Sequence, residues 1–117
     1  MTTEEKRDLI CKLLYEKKAV DIVSVAITHL TTLADHLIIC SAKSTTQAKA
    51  LFGFIDDELE KIDIFAKHKE GAKEASWIVL DYSDIIVHIF LAETRELYSL
   101  EKLWSDGHNI TNFNGKD

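Results

Sequence analysis

The chain has 117 residues, 46% of them hydrophobic and 29% charged, the scale of one globular domain that buries roughly two-thirds of its unfolded surface in a single core. Fourteen Lys and Arg against twenty Asp and Glu give a net charge of -6 without any run of bases, which disfavours direct binding to RNA or DNA and suits a basic protein partner. No apolar run approaches the roughly 18 residues of a membrane helix, and the acids in MTTEEKRD do not suit an export signal, so a soluble, unexported, cytoplasmic protein is expected.

From Thr2, the pattern TTEE has the form of a capping box, with Glu5 three residues after the cap, and Leu9, Ile10, Leu13 and Leu14 then share one helical face. A first amphipathic helix to about Tyr15 follows. AVDIVSVAIT and HLIICSA are rich in β-branched residues and read as two strands joined by a loop around LTTLAD. Ser44 caps a long helix whose apolar positions Ala48, Leu51, Phe52, Ile55, Leu59 and Ile62 keep the helical period, with Lys49, Asp56, Asp57, Glu60 and Lys61 on its wetter side. KHKEGAKEAS is a charged connection. It leads into WIVLDYSDIIVHIF, an antiparallel hairpin turning about Tyr82-Ser83, in which Asp81 is expected opposite Asp84, Val79 opposite Ile86 and Trp77 opposite His88. Both faces of this hairpin are apolar, so the sheet must be covered on both sides. Leu97, Leu100, Leu103 and Trp104 stand at roughly helical spacing with Ser99 as a cap, and beyond them SDGHNITNFNGKD is polar and Asn-rich. The expected fold is α/β or α+β: a mixed central β-sheet with helices on both faces, one domain over residues 1–105 and a frayed tail over 106–117.

The sharpest enzyme reading is an acid/base pair of Asp81 or Asp84 with His88, but Asp84 and His88 lie four strand residues apart, roughly 13 Å at strand rise, beyond proton transfer. Turn formation explains the aspartates, and packing beside Trp77 explains His88. Cys11 and Cys40 stand alone without a CxxC and predict buried thiols, with neither disulfide nor zinc. His29 and His36 have the wrong spacing for a metal pair. Ser41 and Ser44 follow a strand and precede a helix, yet without glycine they are a weak phosphate signal. Asn109-Ile110-Thr111 matches a glycosylation acceptor only by accident in an unexported chain.

The spacing D-Y-x-D-x-x-x-H-x-F-x-x-x-x-R-x-x-Y-x-L-E-x-L-W, from Asp81 to Trp104, closely resembles the Iojap family, the ribosomal silencing factors. Asp21-Ile22, the ADHLIICSAKS segment from Ala34 and Glu70-Gly71 before SWIVLD fall in the same order, so the likeness spans about Ala19 to Trp104. One departure is Ser83, where many members have glycine, which puts the tightness of the turn in question. The resemblance implies a small domain of nucleotidyltransferase-like topology, a homodimer when free, without cofactor, metal or enzymatic activity. It further implies binding to the fourteenth protein of the large ribosomal subunit (uL14), so that the small subunit cannot join and translation is repressed when nutrients run short. Trp77, Asp81, Tyr82, Asp84, His88, Tyr98 and Glu101 are then the expected partner-facing residues, with Arg95 and Trp104 fastening the last helix to the sheet. The alternatives are a dimeric adaptor for non-ribosomal partners and a degenerate nucleotidyltransferase acting at Ser41 and Ser44.

Overall fold

The computed structural model describes residues 1–113. Along the described chain run α1 (Thr3–Glu16), β1 (Val20–Ala26), β2 (His36–Ala42), α2 (Thr45–Glu60), β3 (His68–Glu70), β4 (Trp77–Asp81), β5 (Ile85–Leu91), α3 (Ala92–Tyr98), α4 (Leu100–Leu103) and β6 (Ile110–Asn112). The strands form one six-stranded α+β sheet in the order β3-β4-β5-β2-β1-β6, in which β2 and β5 are parallel and the other pairs antiparallel.

The capping box forms as the sequence requires: the Thr2 hydroxyl accepts the Glu5 N–H at 3.1 Å and the Glu5 carboxylate accepts the Thr2 N–H at 2.8 Å. α1 buries Ile10, Cys11, Leu13 and Leu14, while Leu9 is only half-buried. The Ser44 hydroxyl accepts the Gln47 N–H at 3.1 Å and so starts α2, which buries Ala48, Leu51, Ile55 and Leu59. Asp56 does not lie on a wet face. It is buried between α2 and the sheet, where its carboxylate takes the Lys69 ammonium at 2.7 Å, because a lysine of β3 reaches across to neutralise it. Ile62 lies beyond the helix and is exposed.

Strand alternation sorts the sheet into two cores. Ile38, Cys40, Ile78, Leu80, Ile85, Val87 and Ile89 point toward α1 and α2 and close the larger one. Val23, Val25, Leu37, Ile39 and Phe90 form the smaller one on the opposite face, with Leu100 and Trp104 packed against it. Helices thus stand on both faces, but unequally.

Several expectations are corrected. The hairpin pairs Trp77 with Phe90, Val79 with His88 and Asp81 with Ile86, a shift of two residues that keeps these side chains on one face, while Asp84, expected among them, turns to α1 on the other. The shift follows from the turn: the Asp84 N–H reaches back to the Tyr82 carbonyl at 3.0 Å around Ser83, leaving Asp84 outside the ladder. KHKEGAKEAS contains a short edge strand, β3, not only a connection. The region after Trp104 is not all frayed, for β6 pairs with β1 and Asn109 is buried, donating to the Ala26 and Trp104 carbonyls at 2.8 and 2.9 Å. The remainder of the expected tail, residues 114–117, lies outside the described residues. Ser99 is a break rather than a cap: its φ is +48° and its hydroxyl donates to the Glu96 carbonyl at 2.9 Å, dividing the last helix in two.

Two turn positions carry opposite conformational demands. Gly71 has φ +83°, and a Cβ there would stand 2.0 Å from the Trp77 carbonyl oxygen, so no other residue fits the approach to β4. Ser83 adopts φ +75° with a side chain, held by its N–H donating to Asp81 Oδ1 at 2.8 Å. Gly71→Ala is therefore expected to lower unfolding free energy by more than about 2 kcal/mol and Ser83→Gly to raise it by about 0.5–1 kcal/mol. Urea midpoints measure both, and an unchanged midpoint for Gly71→Ala would contradict the close approach.

Candidate functional site

The face that α3 and α4 cover only in part contains an open groove of about 260 Å³, lined by Ile27, Leu33, Leu37, His68, Val79, Asp81, Ile86, His88, Leu100 and Trp104. Ile27, just past β1, and Leu37 of β2 belong to the smaller core, and Val79, Ile86 and His88 come from the same face of the hairpin. Leu33 stands beside them, 70% exposed in the loop between β1 and β2, an apolar side chain with no packing reason to face water. Asp81 and His68, cross-strand partners on β4 and β3, supply polar groups to an otherwise apolar lining.

Beside the groove lies an aromatic row. Trp77 stacks on Phe90 with centroids 4.9 Å apart, meets Tyr98 of α3 at 4.9 Å, and donates its indole N–H to His88 Nδ1 at 3.0 Å. Burial pushes the His88 imidazole down to about 4, so the ring is neutral at physiological pH and accepts that bond. Tyr98 is 55% exposed and forms the outer end of the row.

Of the residues expected to face a partner, Trp77, Asp81, His88 and Tyr98 come together on this side of the sheet. Tyr82 does not join them: it is buried in the larger core with its hydroxyl unpaired, because strand alternation sets it on the same face as Ile78 and Leu80. Asp84 faces α1, where Lys6 Nζ and Thr3 Oγ1 each reach its carboxylate at 2.8 Å. Burial raises its pKa, but the Lys6 ammonium and Thr3 hydroxyl outweigh that and hold the carboxyl below its ordinary range. Glu101 turns inward to Arg95 at 3.1 Å. Arg95, itself buried, also donates to the Asp21 carbonyl at 2.7 Å and the Ser41 hydroxyl at 3.0 Å, tying α3 to β1 and β2, while Trp104 packs on the smaller core. The aliphatic half of the groove was not singled out from the sequence. Its signal was there in Leu33, an apolar residue in the middle of a polar loop, and in Val79 and Ile86 flanking the turn on the His88 face.

The enzymatic alternatives lose their groups. Ser41 is buried beneath Arg95, whose guanidinium donates to its oxygen, and the Ser44 oxygen accepts the Gln47 N–H at the start of α2, the capping role that its position suits. Cys11 and Cys40 are buried thiols whose pKa burial pushes up to about 12, far from nucleophilic at neutral pH. Among the described residues no group of three or more His, Cys, Asp or Glu could hold a metal ion, and no helix is long and apolar enough to cross a membrane.

A family model described as "Ribosomal silencing factor during starvation" matches residues 1–117. The ribosomal silencing factor RsfS of Bacillus subtilis (strain 168) is 36% identical over 91 residues, covering 78% of this chain and 77% of that protein. A crystal structure of a Chromobacterium violaceum protein superposes with a TM-score of 0.86 at 29% identity, covering 89% of this chain and 87% of the other. One from Bacillus halodurans gives 0.83 at 27% identity, covering 95% and 100% respectively.

The neutral His88 gives stability a defined pH dependence. The unfolded chain takes a proton at this histidine below its ordinary 6.5, whereas the folded chain resists until about 4. Stability is therefore lost as pH falls from 6.5 toward 4, by up to about 3 kcal/mol from this group, and does not depend on it above 6.5. His36, also pushed down by burial, titrates in wild type and variant alike and cancels in a comparison. Denaturant unfolding at pH 7, 5.5 and 4.5 should show a steeper decline for wild type than for His88→Leu; parallel declines would contradict the buried neutral ring.

Proposed function

Because the chain belongs to the ribosomal silencing factor family, RsfS or Iojap, a family of non-enzymatic regulators, we propose that it binds the large ribosomal subunit through the groove and aromatic row. The partner is uL14 on the intersubunit face. A bound domain occupies space that the small subunit must enter, so occupancy alone represses translation under nutrient limitation, in the cytoplasm and with no covalent step. When free, the chain pairs with a second copy, a reading supported by Leu97 and Leu103 at 77% and 75% exposure on α3 and α4.

The observation that carries this reading is an apolar concavity with Asp81 in its lining, on a chain of net charge -6. Apolar floor and acidic edge together match a basic protein that offers a hydrophobic side chain among its Lys and Arg, because the floor supplies affinity and the charge supplies orientation and encounter rate. Asp84 and Glu101 already neutralise cations within the fold and contribute to the overall field rather than to direct contacts.

Cosedimentation with purified large subunits tests the site and gradient profiles test the mechanism. Asp81→Lys and Leu33→Asp are each expected to weaken binding about tenfold or more, and added wild-type protein to lower the associated-ribosome fraction without nucleotide consumption. Unchanged profiles at saturating protein would sink the steric mechanism, and wild-type binding by both variants would move the contact away from this groove.

A further inference from the structure

The Trp77–His88 pair leaves one polar group unused. An indole nitrogen can only donate, so the 3.0 Å bond from Trp77 Nε1 makes His88 Nδ1 the acceptor, and the neutral ring then carries its proton on Nε2. Among the described residues no side chain or carbonyl accepts that Nε2–H. It is also not one of the sealed, unpartnered side-chain atoms, which are His36 Nδ1, Asp56 Oδ1, Tyr82 Oη and Glu101 Oε2. His88 lines the groove amid the apolar Leu37, Val79 and Ile86, so the groove is where a partner for that N–H has room to sit. The one carboxylate in that lining, Asp81, has its Oδ1 occupied by the Ser83 N–H at 2.8 Å.

Building on the reading that this groove meets the large subunit, we propose that His88 is its specificity-determining donor. The Nε2–H, held in that tautomer by Trp77, pairs with a main-chain carbonyl or a hydroxyl on a protein loop whose apolar side chain fills the groove and whose neighbouring Lys or Arg meets Asp81. A fixed donor on an apolar floor selects by exclusion: an occupant lacking an acceptor at that point leaves the N–H unpaired, and an occupant offering phosphate must desolvate a full charge over aliphatic surface. An acidic chain with no basic stripe adds nothing to offset that cost, which favours a basic protein over RNA.

The test uses the full-length chain with purified large subunits. Wild type, His88→Gln and His88→Leu are compared by cosedimentation, and the imidazole tautomer is read on the free wild-type protein by ¹⁵N NMR. Glutamine can accept from Trp77 through its carbonyl and donate into the groove through its amide, so it should stay within about threefold of wild type, whereas leucine should weaken binding about 5- to 100-fold. A photo-crosslinker at Leu33 should label a protein of the subunit. The proposal is overturned by an Nδ1–H tautomer, by leucine binding within twofold of wild type, or by a crosslink to ribosomal RNA or to a second copy of this chain. The tautomer is read on wild type, so the test stands even where the leucine variant does not fold. Failure of wild type itself to bind large subunits would remove the proposed function, while binding by wild type and leucine alike removes this inference alone.

Discussion

The parallel pairing of β2 with β5 at the centre of the sheet is the constraint from which the groove follows. Parallel neighbours cannot be joined by a tight turn, and here the chain leaves β2 through α2, lays down β3 and β4, and returns as β5. α2 is 16 residues long and, with α1, fills one face. What remains after β5 is α3 of seven residues and α4 of four, too little to cover a six-stranded sheet. The groove is the uncovered remainder, floored by strands rather than built from loops, which gives its residues fixed positions.

Its wall is less rigid than its floor. α3 buries only Arg95 and α4 buries no residue, so these helices are held by the guanidinium network and by Leu100 and Trp104 rather than by a continuous apolar stripe. Arg95 anchors them where the chain is irregular, on the carbonyl of Asp21, whose φ is +50° beside the bulge in β1. A buried guanidinium is costly unless each of its faces finds a partner, and the Asp21 carbonyl, Ser41 hydroxyl and Glu101 carboxylate supply them. The position of Tyr98 over Trp77 depends on the same anchor.

Local rules were legible in the sequence where one residue type has one local job. Thr2 with Glu5, and Ser44 before α2, form the caps that their patterns specify, and the two-residue period of the hairpin put Trp77, Asp81 and His88 on one face. Register escaped because two-residue steps preserve that period, and only the backbone of Ser83 distinguishes them. β3 and β6 escaped because three residues are too few to show a period, and both exist by pairing with a longer neighbour. Asp56 and Glu101 look like solvated charges on any helical wheel; the burial of the first and the inward turn of the second depend on Lys69 and Arg95, which reach them across the fold. The groove has the same cause: it arises where the covering helices end, and no single segment records how much sheet they leave bare.

Both edges of the sheet are closed to extension. β3 offers three exposed residues, His68, Lys69 and Glu70, each charged or titratable, and β6 offers three residues of which Thr111 and Asn112 are polar and exposed. Short, hydrophilic edges are poor templates for another strand, so the sheet has no route to open-ended growth through its backbone. The apolar groove, by contrast, is concave. Such a surface saturates, because a single occupant fills a concavity of this size.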